Sequence, residues 1–301
     1  MFSLTTSLVT LALQQRYRRR AERHEAELLR LRAEVEEGGR ERDAQRDYEY
    51  DARKRLYSEV QPLFFQLGEA AGASFDCIRH LQGFRAFRLM EEVDSSLTIN
   101  ATYRLLAPLA IVRLIQRRLT AVDLRLDPAL RAQYLVAREM LYTFTQGEEI
   151  ARLAPALAYT WTGDDRQHLL PARQEVVVGR LMVAEGDAAR CVSYPEFEAR
   201  YLQDGGLREA TLPVREWLCG ANPRTKPVLW RSLVIQGYLA CALKDMIDNG
   251  RGRPASLTPP AAEHIFNWRT KQPIAPEMEA VAARGAAETL LRKRLGASLP
   301  G

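Results

Sequence analysis

Residues able to do acid–base or metal chemistry are sparse in this chain and do not gather into a familiar pattern. The four histidines, His24, His80, His168 and His264, lie in separate segments. None has a glutamate three residues before it, so the Glu-x-x-His pairs that build di-iron sites in helical bundles are absent. Cys77 and His80 are three apart and could share a helix face. A tetrahedral metal needs a second such half-site, and none is visible. The four cysteines, Cys77, Cys191, Cys219 and Cys241, include no CxxC pair, and they are expected to be buried free thiols.

One acidic constellation remains, Asp164-Asp165 with His168, in a stretch broken by Pro155, Gly163 and Pro171. Adjacent carboxylates can hold a divalent ion through oxygen ligands. They are also common turn residues, because an Asp side chain accepts hydrogen bonds from nearby backbone. A metal-dependent enzyme using the 155–175 loop is therefore kept as an alternative, while no catalytic residue, metal or cofactor is assigned. No serine sits in a nucleophile elbow, and no glycine-rich phosphate cradle follows a strand.

Charge adds little. Lysine and arginine number 43 against 38 acidic residues, a net charge of +5, and the two signs are interspersed. Phosphate-binding surfaces need clustering. Arg113, Arg117 and Arg118 form the one basic patch that could face a nucleic acid, which is the less favoured partner.

The strongest signal is at the start. An apolar run containing Phe2, Leu4, Leu8, Val9, Leu11 and Leu13 leads into Arg16, Arg18, Arg19 and Arg20. At 1.5 Å per residue the run covers about 18 Å, short of a bilayer core of about 30 Å. A cleaved signal peptide is disfavoured because the positive charge follows the apolar residues. Three readings remain: a membrane anchor, interfacial or continued by an apolar extension upstream; the first turns of an amphipathic helix; or a frayed tail. The anchor leads, and by the positive-inside rule it leaves the arginines and the main body in the cytoplasm. A wholly cytoplasmic chain is the alternative. Next, Ala21, Leu28 and Val35 fall seven apart, with Tyr17, His24 and Leu31 interleaved, giving an a/d seam about two heptads long. This predicts a stalk helix, a short coiled coil capable of weak self-association, ending at Gly38-Gly39.

Behind it the chain reads as helical throughout. Ala52, Leu56, Val60, Leu63 and Leu67 keep helical spacing across Pro62, where a kink is predicted. Phe64, Phe65, Phe75, Ile78, Leu81, Phe84 and Phe87 are expected to supply core. The segment 97–119, with the all-round apolar run 105–112 interrupted by Pro108, predicts a buried central helix. Asp127-Pro128 has the N-cap and N1 arrangement. Ser193 and Glu196 have capping-box spacing, with Gly205-Gly206 closing that helix. Pro227 opens a helix stopped by Asn249-Gly250, with Gln236 in its apolar stripe as a satisfied buried amide. The only strand-period segment is Glu175–Val178. Beyond Gly250, five of the 15 prolines mark a linker carrying a small helix around Phe266 and Trp268, and a terminal helix starts at Pro276. The fold class is thus all-α: an irregular helical bundle (40–249), an N-terminal stalk (1–39) and a C-terminal helical tail (250–301).

The blocks YDARKRLYSEVQPLFFQL, TYRLLAPLAIVRLIQRRLTAVDLRLDP and PRTKPVLWRSLVIQGYLACAL resemble segments of uncharacterised helical proteins of high-GC Gram-positive bacteria, over roughly Tyr50 to Leu243. That resemblance implies a bacterial, intracellular setting and an N-terminal membrane anchor, and it brings no catalytic residue. The expected function is a membrane-associated helical interaction or scaffold protein. Its expected partners are a membrane, an unidentified protein and a second copy of itself.

Overall fold

The structure is a computed structural model that describes residues 2–81, 92–119, 123–146, 150, 167–185, 188–220, 226–255, 285–293 and 295. It is all-α, and its contacts divide the chain into two units, Met1–Lys54 and Arg55–Gly301.

The first unit is the body of α1 (Phe2–Glu59), a single helix of 58 residues. Gly38 and Gly39 do not end it. A glycine costs about 1 kcal/mol relative to alanine inside a helix. Stopping one takes a left-handed residue that turns the last carbonyls onto new donors. Neither glycine has positive φ, and Arg42 Nε donates to the Gly38 carbonyl at 2.7 Å from the solvent side. Long runs of Ala, Leu, Glu and Arg flank the pair. Exposed contacts one turn apart reinforce them, including Arg30 to Glu34 at 3.1 Å and Gln45 to Glu49 at 3.0 Å.

In the second unit, Pro62 produces a break where a kink was predicted. Helix α1 stops at Glu59 and α2 (Gln61–Leu81) starts two residues later. Pro62 thereby occupies the first turn of a new helix, where its missing N–H has no intrahelical role. The N–H groups of Leu63 and Phe64 both donate to the Val60 carbonyl, at 3.1 Å each. Leu63, Phe64, Leu67, Ala71, Cys77, Ile78 and Leu81 are buried. Phe65, expected in the core, is exposed because it lies off that face. Phe84 and Phe87 lie outside the described residues.

Helix α3 (Ser96–Arg118) is the central helix the apolar run predicts, and it continues through Pro108. Burial on both sides of the proline, from Leu105 to Ile115, outweighs the one hydrogen bond its ring removes. Ser95 caps it, accepting from Thr98 N at 3.2 Å. Helix α4 (Pro128–Thr143) starts as expected, with Asp127 Oδ1 accepting from the N–H groups of Ala129 and Leu130 at 2.9 and 3.0 Å.

The Glu175–Val178 run is helical, inside α5 (Pro171–Arg180). Strand pairing occurs a few residues later, in an antiparallel hairpin of β1 (Met182–Glu185) and β2 (Ala188–Cys191) with Met182 opposite Cys191. Helix α6 (Tyr194–Gln203) carries the predicted capping box, Ser193 with Glu196. Gly205 and Gly206 do not close α6; they open α7 (Gly205–Leu218) behind the N-cap Asp204. Helix α8 (Pro227–Asp248) ends as expected at Asn249, with Gly250 at φ 59°. Lys226 joins α7 and α8, its Nζ donating to the carbonyls of Glu216, Trp217 and Cys219 at 3.2, 3.0 and 2.7 Å. Helices α2 and α8 approach closely through small residues. A Cβ on Gly68 would lie 3.0 Å from Ile247, and one on Gly237 would lie 3.3 Å from Ile78. Of the C-terminal tail, 285–293 is helical with Ala286, Ala287 and Leu291 buried. The start at Pro276 and the helix around Phe266 and Trp268 lie outside the described residues.

Candidate interaction surface

The a/d seam lies on α1, a helix with no apolar side turned into a core among its described residues before Leu56. Leu28, Leu31 and Val35 remain 57%, 52% and 67% exposed. Three and four residues apart on a 3.6-residue repeat, they line up as one stripe. His24 is exposed on the same stripe and approaches Glu27 at 4.0 Å. Solvation of a Leu-Leu-Val stripe is unfavourable by about 25 cal/mol for each Å² of apolar area left in water, so the stripe favours any partner that covers it. Tyr17, Ala21, the arginines Arg16, Arg18, Arg19 and Arg20, and the apolar Phe2, Leu4, Leu8, Val9, Leu11 and Leu13 lie on helical backbone, while their side chains fall outside the description. Among the described residues, no helix is long and apolar enough to cross a membrane.

The sites weighed against this surface are less complete. Asp164 and Asp165 lie outside the described residues, and His168 is half-buried beside Gln167. Gln167 has a structural task, since its Oε1 accepts from the Val228 N–H at 3.1 Å in the first turn of α8. Lys226, the N-cap there, turns its ammonium to the end of α7 and makes no side-chain capping bond to α8. Among the described residues, no three His, Cys, Asp or Glu side chains converge as a metal site would need. Cys77 and His80 do not share a face, because Cys77 is buried and His80 is exposed. Burial pushes the Cys77 thiol up to about 12, that of Cys191 to about 12 and that of Cys241 to about 11. Those sulfurs stay protonated and unreactive at neutral pH.

The basic patch is partly neutralised. Arg113 forms an ion pair with Glu175 and donates to Gln116 Oε1 at 2.6 Å, so its guanidinium is engaged within the fold.

A buried charged cluster among the described residues was not singled out by sequence. Arg215 on α7 is 2% exposed and is paired with Asp94 Oδ1. It also donates to the Arg208 carbonyl at 2.8 Å. Its guanidinium sits 5.1 Å over the Tyr201 ring, and the Tyr201 hydroxyl donates to the same Asp94 oxygen at 2.7 Å. The Tyr201 hydrogen bond, followed by the charge of Arg215, holds the Asp94 carboxyl below its ordinary value. Burial and the bond to Asp94 raise the Tyr201 phenol to about 12. These side chains are turned toward one another, so the cluster ties the segment entering α3 to α6 and α7. Its members are 94, 201, 208 and 215 in sequence, and no local spacing announces them.

No protein-family model, curated protein or solved structure matches the chain.

Proposed function

We propose that this chain is a non-enzymatic, membrane-associated helical interaction protein, in which the start of α1 contacts a membrane and the seam of α1 binds a partner helix. The observation that carries the reading is the exposed Leu28–Leu31–Val35 stripe, flanked by charged residues on the long helix α1. The membrane part is supported by residue order: apolar residues from Phe2 to Leu13, then four arginines among residues 16–20. Such an arrangement seats apolar side chains in the interface and leaves the guanidinium groups among anionic headgroups. The main body then lies on the cytoplasmic side, as the positive-inside rule requires.

The test is fractionation. The full chain and a chain lacking residues 1–20 are expressed side by side, and membranes are separated by flotation. The full chain is expected to float with the membranes and the shortened chain to stay behind. Equal recovery of both in the soluble fraction would contradict the reading.

A further inference from the structure

We infer that the partner of the α1 seam is a second copy of this chain, aligned parallel and in register. The inference rests on the seam being an association surface, and it specifies the geometry from charge. With Ala21, Leu28 and Val35 at a and Tyr17, His24 and Leu31 at d, the flanking e positions are Arg18, Glu25 and Arg32 and the g positions are Arg20, Glu27 and Glu34. Residues 23–25 and 27–37 are described on helical backbone with Glu25, Glu27, Arg32 and Glu34 exposed, so the flanks are available along with the seam.

In a parallel pair, each g residue faces the e residue five positions later on the other copy. Glu27 then faces Arg32 and Arg20 faces Glu25, each pair occurring twice by symmetry, while Glu34 faces Gly39. Every charged pair is attractive. An antiparallel pair that overlaps the whole seam places 17 against 35, 21 against 31 and 24 against 28. Its flanks then set Glu25 against Glu25, Glu27 against Glu27 and Arg18 against Arg32, leaving only Arg20 with Glu34 favourable. With so little apolar area in two heptads, these flanking charges decide the orientation. The parallel arrangement also brings both copies of the Phe2–Leu13 run to the same end. Two weak apolar contacts on one membrane hold far better than one.

Sedimentation equilibrium of the full chain at low salt tests this with Glu27→Arg and Arg32→Glu. In the parallel pair each variant alone turns two attractive contacts into two repulsive ones, and self-association is expected to weaken by roughly tenfold. An equimolar mixture of the two variants restores both contacts and is expected to associate as well as the wild type. At about 1 M salt, where the screening length is about 3 Å, the differences should vanish. Leu31→Cys adds a geometric readout. Parallel copies bring the two d positions within disulfide reach, and mild oxidation should give a covalent dimer absent from the wild type. Antiparallel copies hold them about 15 Å apart. A wild type that dimerises while neither charge variant changes it, and no Leu31→Cys cross-link, would overturn the parallel geometry alone. A wild type monomeric at high micromolar concentration would overturn the association surface itself.

Discussion

Gln236 is fully buried in the middle of α8, and neither its Oε1 nor its Nε2 has a hydrogen-bond partner. It was expected to be a satisfied buried amide, and its neighbours show why it is not. The other buried glutamines reach helix ends, where backbone groups lack partners. Gln133 Nε2 donates to the Met246 and Arg251 carbonyls at 3.0 and 3.2 Å, and Gln174 Nε2 donates to the Leu141 carbonyl at 2.7 Å. Mid-helix backbone around Gln236 is already paired, which leaves its amide nothing to bond. Replacing such a group with an apolar one of similar shape removes a desolvation cost of about 1–3 kcal/mol. Gln236→Met is therefore expected to raise the thermal midpoint by a few degrees. A lowered midpoint in a thermal melt would mean that the amide has a partner the fold requires. The Arg215 cluster was illegible for a related reason, because its worth depends on long-range packing that no short motif encodes.

At the scale of elements, helix starts were the most legible feature. Asp127, Ser193 and Pro227 each act where their chemistry places them, since capping depends on residues within one turn. Stops were misread at two of the three glycine signals, while Asn249-Gly250 ends α8 as expected. Gly38-Gly39 and Gly205-Gly206 lack the positive φ that Gly250 has, and the backbone angle is not written in residue type. The short hairpin was missed because its strands, four residues each, offer too few alternations for a period to show. The glycines in α1 also yield a test. A Cβ at Gly39 would meet nothing within 4 Å, and one at Gly38 only the end of Arg42. Gly38→Ala with Gly39→Ala should therefore stabilise α1 by about 1 kcal/mol per site. Slower amide exchange is expected around residues 35–42, with unchanged melting of the 55–301 unit. Unprotected amides over residues 35–42 in the wild type would show that the glycines break the helix in solution, and unchanged exchange in the variant would contradict the stabilisation.

For the whole molecule, the all-α class followed from helical spacing of apolar residues and the central buried helix from an all-round apolar run, whereas the assembly of the core depended on contacts far apart in sequence. Electrostatics at this scale gives an acid dependence. Two hydrogen bonds from Arg190, at 2.8 and 2.6 Å, and those from Ser193 hold the Glu196 carboxyl down at about 2, while Tyr201 and Arg215 lower Asp94. A folded-state value below the unfolded one means stabilisation that is complete above the ordinary carboxyl range and is lost as pH falls through the folded value. Thermal stability should thus decline between about pH 4.5 and 2, and Glu196→Gln should flatten that decline. An identical slope in wild type and variant would remove Glu196 from the account.

The proposal that α1 is an association surface is tested most directly by sedimentation of the full chain over a concentration series, compared with Leu28→Asp combined with Leu31→Asp. Both residues are exposed, so the substitutions leave the 55–301 unit's melting unchanged. The account predicts a weak, concentration-dependent dimer for the wild type and a monomer for the variant at every concentration. A wild type that stays monomeric at high micromolar concentration, or a variant that dimerises as strongly as the wild type, would contradict it.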